Sequence, residues 1–118
     1  MLNKKIILGV TGGIAAYKAA ELIRLLRKNG ADVQVVMTES ATKFISPLTL
    51  QALSGKPVLE NMWEPSKGNG MEHINQSRDS DLIVIAPASA NFIAKISQGI
   101  ADDLLTNICL ARNCPLMI

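Results

Sequence analysis

The chain has 118 residues, enough for one domain, residues 1–118, with a packed core. An apolar fraction of 48% excludes a disordered chain, and a formal charge of +2 without a dense basic run gives no footprint for nucleic acid. No apolar run approaches the length of a membrane span, no signal-peptide pattern opens the chain, and two cysteines, Cys109 and Cys114, are too few for a metal cluster or a disulfide framework. The expectation is a cytoplasmic protein with neither metal nor membrane partner.

Residues 4–30 form the stretch around which the rest is organised. Ile6, Ile7, Leu8 and Val10 make a short apolar run, as in a parallel strand covered on both faces. Gly9, Gly12 and Gly13 follow, and residues 14–29 are then predicted to be helical. Lys18, Glu21, Arg24 and Lys28 fall on one stripe of that helix, and Ile14, Ala15, Ala19, Leu22, Ile23 and Leu26 lie largely off it. Gly30 is placed to end it. The glycine turn therefore joins the C-terminal end of a strand to the N-terminus of a helix. Amides without intrahelical partners and the helix dipole suit a phosphate there. A tight strand-to-helix turn without a ligand accounts for the same glycines.

Residues 32–37 are the predicted second strand, followed by Thr38, Glu39 and Ser40 at its C-terminal end and a short helix over 41–45. Ser46 as N-cap and Pro47 at the first helical position predict a helix to about Leu53, stopped by Gly55. Residues 57–60 are a candidate short strand, and residues 61–70 form a Pro- and Gly-bearing loop, with Met62 and Trp63 as a subunit contact. Residues 81–87 give the next strand, and 87–91 a second turn of small and polar residues. A helix over 91–98 is expected to turn Phe92, Ile93 and Ile96 inward and to stop at Gly99. Asp102 is placed to cap a last helix, 103–112, before a strand entered at Pro115. A chain ending inside its sheet suggests a C-terminal truncation.

This alternation of strands and helices argues for an α/β fold: a three-layer, doubly wound parallel sheet of Rossmann-like type. Ligands of such sheets bind past the carboxyl ends of the strands. Three polar turns, 11–13, 38–40 and 88–91, are expected to converge on that rim. The glycines run G-x-x-G-G, not G-x-G-x-x-G, and the second strand ends in Met37-Thr38 without an acid at its tip for a ribose, Glu39 being a weak candidate for that role. A mononucleotide fits this pattern better than a dinucleotide.

The segments GVTGGIAAYKAAELIRLLRKNGADVQVVMTESATKFISPLTLQALSG, His73-Ile74 and DLIVIAPASANFIAKISQGIADDLLTNICLA resemble the homo-oligomeric flavin-containing cysteine decarboxylases. Within that family the similarity is greatest to the N-terminal phosphopantothenoylcysteine decarboxylase part of the bifunctional flavoproteins of coenzyme A biosynthesis. The resemblance implies FMN as cofactor, with Gly12, Gly13 and Ile14 holding its phosphate or ribityl chain. It implies that Thr38 and Ser40 bond the phosphate, that Phe44 lies near the cofactor, and that Ser89, Ala90, Asn91 and Phe92 complete the pocket. His73 matches the family's catalytic histidine, an acid/base whose unperturbed pKa of about 6.5 suits it to moving protons near neutrality.

By residue type alone, a loop or core histidine, an N-cap for Asn91, turn roles for Thr38 and Ser40 and a core role for Phe44 stand beside these assignments. The resemblance further implies the substrate, 4′-phosphopantothenoylcysteine, decarboxylated to 4′-phosphopantetheine after flavin oxidises the thiol carbon to a thioaldehyde. It implies a homo-oligomer, a trimer or a multiple of trimers, and a C-terminal phosphopantothenate–cysteine ligase domain in the whole protein. The sequence departs from the family at Gln76, where the histidine motif has leucine, and at Phe92, where the small-residue turn usually ends in threonine. The substrate clamp, with its reductive cysteine, has no counterpart before Ile118. A flavin prenyltransferase and a non-catalytic flavin-binding regulatory module are the alternative members of this relationship.

Overall fold

The computed structural model describes residues 3–60 and 78–118. Four strands, β1 (Lys5–Val10), β2 (Asp32–Met37), β3 (Leu82–Ile85) and β4 (Leu116–Met117), form one sheet in the order β2-β1-β3-β4. Every pairing is parallel, with Gly9 opposite Val36 on one side and Ile85 on the other. The predicted strand over 57–60 shrinks to one parallel bridge, Leu59 to Val36, on the outer side of β2. Pro57 lacks the N–H that would extend that ladder.

Alternation along the strands divides the core in two. Ile6, Leu8, Val10, Val33, Val35 and Met37 pack on one face with Ala16, Ala19, Ile23 and Leu50. Ile7, Val36, Ile83 and Ile85 pack on the other with Phe92, Leu104, Leu105, Ile108 and Cys109. The first face is covered by a 3₁₀ turn (Ile14–Lys18) continuing into α1 (Ala19–Lys28), and by α2 (Pro47–Ser54). The second is covered by α3 (Ala90–Gln98) and α4 (Leu104–Leu110). This is the expected three-layer, doubly wound arrangement. Gly9, which the sequence groups with the turn glycines, lies inside β1. A Cβ there would meet Ile85 Cδ1 at 2.6 Å and Leu105 Cδ1 at 2.8 Å, so its bare backbone is what lets α4 close on the sheet.

Helix ends follow local chemistry. Ser46 caps α2 by accepting from the Leu48 amide at 3.2 Å, as the Ser-Pro pair predicts. Gly55 and Gly99 take left-handed backbone after α2 and α3. Two expected caps move by a residue or two. Ser89, not Asn91, caps α3, and Asp103, not Asp102, caps α4. Asp103 Oδ1 accepts from the Thr106 amide at 2.8 Å while its own N–H donates to Thr106 Oγ1 at 3.1 Å, a reciprocal box that Asp102 is one residue too early to make. Ile93, expected inward, is 44% exposed. With the helix beginning at Ala90, Phe92 and Ile96 share the inward face and Ile93 falls beside it.

Candidate functional site

The strand order places the reversal of winding between β1 and β3, and the chain leaves both strands at their C-terminal ends. The glycine turn follows β1, the 38–40 turn follows β2 and the 86–89 turn follows β3, so all three emerge on one rim. They also touch. Thr11, 1% exposed, donates its hydroxyl to the Pro87 carbonyl and accepts from the Ser89 amide at 2.7 Å. A Cβ on Gly12 would lie 2.7 Å from Ser40 Cβ and 3.3 Å from the Ser40 carbonyl carbon, so only glycine lets the first and second turns approach this closely.

A cavity of about 490 Å³ opens between the turns. Of the residues singled out in the sequence, Gly12, Thr38, Ser40, Phe44, Ser89, Asn91 and Phe92 line it. Gly13, Ile14 and Ala90 sit at its margin in sequence but are not among the lining residues. Nothing described lies within 4 Å of a Cβ built on Gly13, and Ile14 is 83% exposed. Ile14 was expected among the apolar positions off the charged stripe. The tight first turn, 3₁₀ rather than α, has eclipsed spacing and leaves that side chain on the rim. His73 lies outside the described residues, as do Met62, Trp63 and Gln76.

Several polar groups at the site have hydrogen-bonding capacity left among the described residues. Thr38 Oγ1 accepts from the Ala41 amide at 3.2 Å, and Ser89 Oγ from the Phe92 amide at 3.1 Å. Neither hydroxyl donates to an acceptor among the described residues. The amides of Gly12 and Gly13 donate to no acceptor among the described residues. Phe44 is half-exposed against the cavity, whereas Phe92 is 2% exposed and packs in the core with Leu104 and Leu105.

The wall also holds residues that are not among the predicted site residues: Met37, Glu39, Lys95, Asp102, Asp103 and Leu104. Glu39 lies between two of the predicted site residues, Asp102 is predicted only as a cap, and Asp103 only as the first residue of the last helix. Lys95 carried no signal, because its position depends on how α3 packs beside the loop before α4. Its Nζ pairs with Asp102 Oδ2 at 3.0 Å. Among the described lining residues, three acids face one already paired base, so an anionic group here would be held by backbone amides and hydroxyls, not by cations.

The donor set fits FMN: free amides and hydroxyl protons for a phosphate or ribityl chain, open space in front of Gly13, and an aromatic face at Phe44.

The flavoprotein family pattern matches residues 1–117. The chain is 53% identical over 116 residues to the coenzyme A biosynthesis bifunctional protein CoaBC of Haemophilus influenzae, covering 98% of this chain and 29% of that protein. To the CoaBC of Escherichia coli K12 it is 50% identical over 118 residues, covering 100% of this chain and 29% of that protein. The chain thus spans 29% of the length of these relatives. Among solved structures, the FMN-dependent cysteine decarboxylase SpaF superposes with a TM-score of 0.85 at 35% identity, over 96% of this chain and 65% of that one. A cysteine-to-serine mutant of PPC decarboxylase complexed with pantothenoylaminoethenethiol superposes with a TM-score of 0.74 at 29% identity, over 97% and 64%.

Proposed function

The chain belongs to the flavoprotein family, and from that premise we propose that it binds FMN in the crevice between its three turns and decarboxylates 4′-phosphopantothenoylcysteine to 4′-phosphopantetheine. The observation that carries the reading is the gathering of Gly12, Thr38, Ser40, Phe44, Ser89 and Asn91 around one cavity at the strands' C-terminal rim. The likeness to coenzyme A biosynthesis proteins over essentially the whole chain, and to PPC decarboxylase in fold, supports the choice of substrate.

FMN, when bound, would supply a two-electron acceptor that takes the thiol-bearing carbon to a thioaldehyde, an electron sink for departing CO₂, and would give the two electrons back to the resulting ene-thiol, so that the conversion to 4′-phosphopantetheine is redox-neutral. The chain's own residues do the rest. Gly12 and Gly13 amides and the Thr38, Ser40 and Ser89 hydroxyls hold the polar part of the cofactor. Phe44 covers its apolar edge. His73 takes the proton released in the oxidation, an acid/base role assigned by motif. The reading includes a cytoplasmic enzyme that assembles as a trimer or a multiple of trimers. The exposed apolar side chains Ile14, Tyr17, Phe44 and Leu48, on elements bordering the site, support a subunit contact there. It also includes a ligase domain C-terminal to this one, in keeping with the bifunctional relatives.

The test is a visible absorption spectrum followed by anaerobic addition of 4′-phosphopantothenoylcysteine. The purified protein is expected to be yellow, to bleach with substrate and to release CO₂. His73→Asn is expected to keep its colour and lose the bleaching. A correctly folded, colourless protein that ignores added FMN refutes the proposal, and full turnover by His73→Asn removes that residue from the chemistry.

A further inference from the structure

The parallel ladder between β1 and β3 outruns both strands. Ala86 N–H donates to the Gly9 carbonyl at 3.0 Å, and Thr11 N–H donates to the Pro87 carbonyl at 3.3 Å. There the two backbones part, one into the glycine turn and the other toward the N-terminus of α3. The Thr11 side chain supplies the next rung. Its hydroxyl donates to the Pro87 carbonyl and accepts from the Ser89 amide at 2.7 Å. Thr11 itself is 1% exposed, and both bonds are part-buried. Ser89 in turn holds the first turn of α3 through the Phe92 amide, at 3.1 Å, and lines the cavity.

Thr11 is not among the described lining residues, so it acts through its neighbours. On the reading that the crevice holds FMN, we infer that Thr11 is a positioning residue whose hydroxyl locks the glycine turn to the Ser89 turn and fixes the width of the site. A hydroxyl is required because past Pro87 the diverging chains bring no carbonyl of the glycine turn to the Ser89 amide. Valine has the shape of threonine but neither bond. Its presence would leave the part-buried Ser89 N–H without its acceptor, and the N-terminus of α3 would relieve this by moving toward water. The crevice would then lose preorganisation that FMN must restore on binding.

The experiment compares the wild-type protein with Thr11→Val and Thr11→Ser. FMN affinity is measured by flavin fluorescence quenching, and hydrogen exchange of the Ser89 amide by NMR. Thr11→Val is expected to bind FMN about tenfold more weakly or worse and to exchange the Ser89 amide at least about tenfold faster, while Thr11→Ser stays within about twofold of wild type in both. A valine variant with wild-type FMN affinity, however far its melting temperature falls, overturns the inference. So does a serine variant as impaired as valine, since methyl packing would then be the cause. Should the valine variant not fold, the wild-type Ser89 amide decides: protection supports the clamp, and exchange as fast as at an exposed site overturns it. Failure of the cofactor reading is separate, because wild-type protein would then bind no FMN at all.

Discussion

Gly12 and Gly13 are neighbours, yet the structure gives an added methyl group opposite consequences at the two positions. At Gly13 a Cβ meets nothing within 4 Å, and φ of 163° is extended backbone that alanine adopts. Gly13→Ala should therefore leave the ligand-free protein as stable as wild type, or stabilise it by up to about 1 kcal/mol by restricting the unfolded chain. The open space is where a ligand must come to reach the Gly13 amide, at about 2.9 Å for a hydrogen bond. A methyl carbon there displaces the ligand, and overpacking of this kind costs about 1–3 kcal/mol, or roughly fivefold to 150-fold in Kd. At Gly12 the Cβ would lie 2.7 Å from Ser40 Cβ, about 1 Å inside ordinary contact, so the cost falls on the free protein. Gly12→Ala should lower the melting temperature and weaken FMN together. The assay pairs a thermal melt of the FMN-free protein with FMN titration for each variant. A Gly13→Ala protein that binds FMN like wild type would refute the placement of the ligand against the Gly13 amide, and a Gly12→Ala protein that melts like wild type would refute the close packing of Gly12 on Ser40.

The capping box of α4 predicts that Asp103→Ala destabilises by about 1–2 kcal/mol, a fall of about 4–8 °C in melting temperature per kcal/mol, with Asp103→Asn milder because Asn caps nearly as well. Leu105 is 1% exposed and packs over Gly9. Leu105→Ala should cost about 2–5 kcal/mol in urea denaturation, and a loss under 1 kcal/mol would show that α4 is not seated on β1. Burial pushes the Cys109 thiol up from its ordinary value of 9.0 to about 12, outweighing the opposing field of Arg112. A raised folded-state pKa means the folded protein holds its proton after the unfolded chain has lost it. That contribution to stability is complete below about pH 9 and falls by about 1.4 kcal/mol per pH unit as pH rises toward 12. Denaturant melts at pH 8 and 10.5 should show a steeper loss for wild type than for Cys109→Ala, and parallel losses would contradict the burial of this thiol.

The sequence by itself determined the main strands and helices and the rim on which the site lies. Runs rich in apolar residues at 6–10, 32–37 and 82–85 pack against helices on both faces of the sheet, as a parallel sheet between helices requires, and loops after such strands open at one edge. Ser46-Pro47 and Gly55 set the bounds of α2 by short-range hydrogen bonding and backbone preference, which need no tertiary partner. Only the tertiary structure decided what depends on distance between remote segments. That Gly12 is held against Ser40, that Thr11 reaches Ser89, and that Gly9 makes room for Leu105 follow from strand register and helix docking. Lys95, Asp102 and Ile14 acquired their positions in the same way, from where packing leaves the ends of α1, α3 and α4. Local sequence encodes torsion and polarity, whereas a binding cavity is a shape made by segments that meet only after the sheet has closed.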